Sequence, residues 1–181
     1  GKGFAAAFGR SIFVSCVSAV LTTALAFVLA YTIHYTNVPG GLKKFIRLAA
    51  VVPMLLPTIT YGFAIIYSFG RQGFITGMIG HQMFEIYGFY GLLLGYVIYT
   101  LPISFMLILN TMSFIDKKFM IVSRIMGDSP LKTFLGTVIR PLLGTLAASF
   151  VQCFFLCFTD FGIPASVGGQ YDVVATVLYN E

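Results

Sequence analysis

Apolar and polar positions along this chain alternate in long blocks rather than residue by residue. Ser11 to Tyr35 runs 25 residues without an Asp, Glu, Lys or Arg. At 1.5 Å per residue, that is enough to cross the ~30 Å hydrocarbon core of a bilayer. Comparable blocks follow, so the pattern predicts four membrane-spanning helices at about 11–36, 45–69, 89–112 and 142–161. Between the last two lies 113–141, the longest stretch rich in charge. The expected fold class is all-α: a polytopic transmembrane helical bundle forming one domain over 1–181.

Local signals refine the spans. Residues 1–10 form a short lead-in. The first span carries small side chains at Ser15, Ser18, Ala19, Thr22, Thr23 and Ala26, which suit close helix contact better than lipid. His34, at its end, reads as an interfacial histidine, with a buried proton relay as the other reading. Asn37 to Lys44 is a basic turn. The second span holds Pro53 and Pro57 in a P-x-x-x-P spacing. Each proline removes a backbone donor and pushes on the preceding turn, so this helix is expected to kink or unwind. A bilayer tolerates that where the freed carbonyls face protein or a wet cavity, leaving a packing kink and a pathway lining as the two readings. Residues 70–88 leave the membrane, with Phe74 to Tyr87 as an interfacial helix. The third span contains Gly91-x-x-x-Gly95 and Pro102, and the fourth has Gln152 at its centre and Asp160 near its outer end. Ionisable groups at membrane depth suggest function, so Pro53, Pro57, Gln152 and Asp160 are the candidate pathway residues. Gly162 to Glu181 is expected to form a loop and short helix. The chain reads as part of a longer protein, with further spans expected before Gly1 and after Glu181.

Composition excludes the other classes. Hydrophobic residues make up 58% and charged residues 9%, against roughly a quarter charged in soluble domains. The net charge of +5 is therefore no nucleic-acid footprint, and no nucleic-acid partner is expected. It orients the chain instead. Eight Lys and Arg side chains fall on the side of the 37–47 turn and the 113–141 loop, and three on the other, which puts the loop in the cytoplasm. Cys153 and Cys157 are four apart but have no His or carboxylate at ligand spacing, so no metal is expected. No G-x-x-x-x-G-K-[ST] phosphate loop occurs, and two histidines with six acids form no catalytic constellation. No enzymatic activity and no cofactor are expected.

The 113–141 loop has its own architecture. Ile115 to Met126 is predicted helical, with Gly127 as a left-handed stop. Asp128 or Ser129 caps the next helix and Pro130 sits just inside it. A second short helix, Leu131 to Ile139, places Leu131, Phe134 and Leu135 on one apolar ridge. Either a partner covers that ridge or the protein's own helix ends do.

These residues resemble the cytoplasmic loop of the membrane subunits of binding-protein-dependent ABC importers, the type I importer permeases. That family's pattern is E-A-A-x-x-x-G, then a helix and a proline near the next span. Gly127 matches the glycine, Asp128-Ser129-Pro130-Leu131-Lys132-Thr133-Phe134 matches the run after it, and Arg124 also fits. The E-A-A itself is replaced by Ile121-Val122-Ser123, and Pro141 falls one residue late. Val52 to Pro57 resembles the family's Pro-rich second core helix. Asp160 to Pro164, with Gly168-Gly169, resembles the branch serving ferric iron, phosphonates, thiamine and polyamines. The resemblance implies the type I permease core with four spans present and a fifth missing. It also implies a bacterial cytoplasmic membrane location and a contact to the ATPase through Ser123, Arg124, Gly127, Asp128, Ser129, Pro130, Leu131, Lys132, Phe134 and Leu135. The implied partners are cytoplasmic ABC ATPase subunits, a second permease subunit or half, an extracytoplasmic solute-binding protein, and membrane lipids. The rival expectation is an ion-coupled secondary transporter using Asp160 and His34.

Overall fold

The computed structural model describes residues 2–180, apart from the side chain of Lys2. Gly1 and Glu181, expected to lead into further spans, and the charge counted at Lys2 lie outside the described residues. Among the described residues all regular structure is helical. Three helical runs, Gly3–Tyr35, Phe89–Ser113 and Pro130–Thr159, are long and apolar enough to cross a membrane. A fourth crossing exists if the bent pair Gly40–Leu55 and Thr58–Ile79 is one span. The chain is thus an all-α polytopic membrane bundle.

Helix α1 spans Lys2–Tyr35. The expected lead-in is part of it, because Ala5 to Ala7 favour helix and no proline interrupts. Its buried face carries Ser11, Ser15, Ser18, Thr22, Ala26 and Ala30, spaced three and four apart as one helix stripe requires. Such small side chains let backbones approach closely.

Helix α2, Gly40–Val51, passes into a single 3-10 turn, Val52–Leu55. The chain breaks at Leu56–Pro57, and α3, Thr58–Phe69, leaves at 117° to the incoming segment. The two prolines cause the break, and the Tyr61 hydroxyl covers it. That hydroxyl reaches the carbonyls of Pro53 and Leu56, the latter at 3.1 Å. Helix α4, Phe74–Ile79, is shorter than the interfacial helix expected to reach Tyr87, because Gly80 takes a φ of +90° and ends it.

Helix α5, Phe89–Ser113, runs parallel to α1 and contains Pro102. Its Gly91 and Gly95 are contact points. A Cβ at Gly95 would lie 2.6 Å from Ile163 Cγ2, and one at Gly91 would strike the Ile86 carbonyl. After α6, Lys118–Ile125, and α7, Pro130–Phe134, a π-helical segment Leu135–Ile139 leads into α8, Arg140–Thr159. Two short helices, α9 at Gly162–Val167 and α10 at Val174–Asn180, close the far end.

α8 runs antiparallel to α1. Phe8 meets Phe158 at one end, and Phe27 meets Phe134 at the other. Around α1, α5 and α8 the core divides in two. One apolar cluster at the α9 end includes Leu92, Tyr96, Ile163 and Val167. The second, at the α6 end, includes Phe105, Ile108, Met112, Val138 and Leu142. Between them hydroxyls pair across helices: Thr22 with Thr100 at 2.9 Å, Thr23 with Ser149 at 3.1 Å, and Ser104 with Ser149. Such pairs hold membrane helices together where the apolar driving force is absent.

Candidate functional site

The segment from α5 to α8 forms a rigid elbow. Helix α6 ends in a Schellman turn. Gly127, at φ +89°, donates its N–H to the Arg124 carbonyl at 3.1 Å, and the Asp128 N–H reaches the Ser123 carbonyl at 3.1 Å. Both are carbonyls the helix end leaves free. Ser129 then caps α7, its Oγ accepting the Lys132 N–H at 3.2 Å, with Pro130 in the first turn. The two helices are tied together by side chains. Ser123 Oγ donates to Asp128 Oδ2 at 2.6 Å and lies 3.0 Å from Thr133 Oγ1. Lys132 Nζ lies 3.1 Å from Asp128 Oδ1. These contacts hold the Asp128 carboxyl below its ordinary range, the Ser123 hydroxyl most of all and then the Lys132 ammonium.

Ser123 stands where the resembled motif ends its E-A-A, and here it is the knot between α6 and α7. Leu131 is 67% exposed, and Leu135 is also exposed. Phe134 does not share their face. Its ring packs against Phe27 and Tyr31 of α1, at centroid distances of 6.1 and 5.8 Å. The expected three-residue ridge is therefore split: Phe134 anchors the elbow to α1 and the two leucines face outward. Arg124 and Lys132 are exposed.

Leu131 and Leu135 border a groove of about 1080 Å³ whose opposite wall is Phe119, Val122 and Met126 of the α6 segment. That wall went unassigned in the sequence, although Phe119, Val122 and Met126 recur at the i, i+3, i+7 spacing of one helix face.

The candidate pathway residues fall into two places. Pro53 borders a cavity of about 270 Å³ with Leu56, Tyr61, Leu94 and Ile98. Pro57 is exposed beside the break. Asp160 lies on the other side of it, accepting the Ile163 N–H at 3.0 Å. Gln152 is separate, exposed on α8. His34 lies at the α6 end of the bundle and Asp160 at the α9 end, so the two do not form one relay.

Over 187 residues the chain is 26% identical to the ferric transport system permease protein FbpB of Actinobacillus pleuropneumoniae, covering 99% of this chain. It is a relative of transport-system permeases. The chain is also 30% identical over 157 residues to the thiamine transport system permease protein ThiP of Salmonella typhimurium, covering 84% of this chain and 29% of that protein. Its match to the probable sulfate transport system permease protein cysT of Helicosporidium is 26% over 180 residues, covering 97% of this chain and 66% of that protein. The chain spans 27% of the length of the FbpB relative. No family model matches it.

Proposed function

We propose that this chain is part of the permease subunit of an ATP-driven ABC importer in a bacterial cytoplasmic membrane. Its helices line the solute pathway, and the α6–α7 elbow rides on a separate cytoplasmic ATPase. The observation that carries this reading is the elbow itself. It is a capped, hydrogen-bonded helical corner that keeps Leu131 and Leu135 exposed beside an apolar groove, and a water-facing segment has no reason to hold such a surface rigid unless a partner covers it. ATP binding closes the ATPase dimer, the elbow moves with it, and α8, continuous with α7, carries that motion into the bundle. An extracytoplasmic binding protein delivers solute at the opposite end, and a second permease subunit or half completes the pathway. The solute belongs to the small-solute range of the relatives, whose names give ferric iron, thiamine, spermidine or putrescine, and sulfate. Phosphonate is the other candidate, from the branch that the Asp160 segment resembles.

ATP-dependent solute uptake by the full-length protein in proteoliposomes tests this. Leu131→Glu, at an exposed position, is expected to leave membrane insertion intact while cutting uptake at least tenfold. Asp160→Asn is expected to retain ATP dependence. Uptake that persists without the ATPase subunit and vanishes in Asp160→Asn would point to an ion-coupled carrier instead.

A further inference from the structure

At the α6 end of the bundle, two polar atoms are buried with no partner: Nε2 of His34 and the Tyr35 hydroxyl. Their rings are in edge-on contact, with centroids 4.6 Å apart. Buried polar atoms without a hydrogen bond are rare, and each calls for an explanation such as a bound ion. The surroundings are cationic. Lys117 Nζ sits over the Tyr35 ring, 5.8 Å from its centroid, and both Lys117 and Lys43 lie within electrostatic reach of His34. Among the described residues, no carboxylate pairs with either lysine, the ion pair present being Lys132–Asp128. The nearest acid in sequence, Asp116, is engaged at the start of α6, where its Oδ1 accepts the Lys118 N–H at 2.9 Å. Lys43 is half-buried at the first turn of α2, and Lys117 is exposed and free to swing aside.

We infer that His34, Tyr35, Lys43 and Lys117 form a binding site for one phosphate-bearing anion at the membrane boundary, the headgroup of an anionic phospholipid. Two cations supply the charge and two neutral donors supply direction, as recognition of a phosphate oxygen requires. The position selects the lipid over a soluble anion. The site lies where α1 ends, α2 begins and α5 gives way to α6, so a headgroup arrives there with its acyl chains already along the apolar helix faces. Lys117 closes over the ring face of Tyr35 when the site is empty and turns to the phosphate when it is filled. Because Tyr31 stacks on Tyr35 at 5.1 Å and also packs on Phe134, the bound headgroup adjoins the anchor of the elbow.

The test is lipid retention by the full-length, assembled protein, read by native mass spectrometry from mixed micelles of phosphatidylglycerol and phosphatidylcholine. Phosphatidylglycerol is expected to be retained at least fivefold over phosphatidylcholine. Tyr35→Phe, which removes only the hydroxyl, and Lys117→Gln are each expected to reduce that preference severalfold. Lys44→Gln, an exposed change outside the site, is expected to leave it unchanged. Millimolar inorganic phosphate is added in a second arm. Failure to displace the lipid supports the headgroup, and full displacement would identify soluble phosphate as the ligand and overturn the lipid assignment. Equal retention of the two lipids, or a preference unaffected by both Tyr35→Phe and Lys117→Gln, would overturn the site.

Discussion

Gly127 is the residue on which the elbow turns. Its φ of +89° is a conformation in which a Cβ is strained, although open space surrounds it. The obstacle is the backbone state and not a neighbour, which separates two substitutions. Gly127→Val is expected to destabilise the corner by about 1–2 kcal/mol and to expose it to limited proteolysis. Gly127→Asn, a residue that tolerates left-handed backbone, is expected to remain close to wild type in the same assay. Asp128 gives a second handle. Its carboxyl is held below the ordinary range, so its contribution to local order is fully present above that range. The contribution is lost as pH falls through the lowered value. Hydrogen exchange at the Asp128 amide is therefore expected to be insensitive to Asp128 ionisation at neutral pH and to lose protection in acid. Ser123→Ala, which removes the largest cause of the lowering, is expected to move that loss upward in pH. The corner was legible in the sequence, because Gly127, Ser129 and Pro130 are each restricted by local backbone chemistry. The inward turn of Phe134 was not, since ridge spacing does not say which face α1 will claim.

Among the elements, the broken second segment shows how a membrane helix survives two prolines. The Pro53 carbonyl keeps a 3-10 bond from the Leu56 N–H at 3.1 Å, the Leu56 carbonyl faces the break, and one side chain, Tyr61, reaches both. Tyr61→Phe is expected to destabilise the bundle by about 0.5–1.5 kcal/mol, the usual net value of one hydrogen bond, measured as the loss of folded protein under graded denaturant. Pro53 and Pro57 announced the break, yet the identity of the covering hydroxyl could not be read from them. It depends on a 117° turn that brings Tyr61 back over the chain. The opposite failure occurs at Pro141, which predicts a boundary in the sequence and sits inside a continuous helix. The preceding π-helical segment removes the conflict. The Arg140 N–H bonds to the Leu135 carbonyl, five residues back, and this widening relieves the crowding a proline ring brings.

On the scale of the whole molecule, the bundle has two chemically distinct ends. Lys43, Lys44, Arg47, Lys117, Lys118 and Arg124 gather at the α6 end, whereas Arg10 at the other end is occupied in holding a loop, its Nε donating to the Asp172 carbonyl at 2.8 Å. The proposed orientation follows from this asymmetry. In sealed cells, a membrane-impermeant thiol reagent is expected to label Arg71→Cys from outside and Lys118→Cys only after permeabilisation. The reverse pattern would invert the topology and remove the ATPase from reach of the elbow. The charge bias was readable from the sequence, whereas the lengths of the helical runs were not, since α1 starts at Lys2 and the last run starts at Pro130. The packing of α9 into the Gly91 and Gly95 face of α5 was not, because a GxxxG pair invites a close neighbour without naming it.

The π-helical segment joining α7 to α8 has a mechanical consequence. A helix that runs unbroken from Pro130 to Thr159 is a crankshaft, and the wide turn at Leu135–Ile139 is its one slack bearing. Deleting a single residue there would let the turn tighten to ordinary α geometry. Because a π turn is an α turn holding one extra residue, the elbow would keep its phase on α8. The same deletion in the regular part of α8 would instead turn the elbow by about 100°, swinging Leu131 off the groove and Phe134 out of its seat on α1.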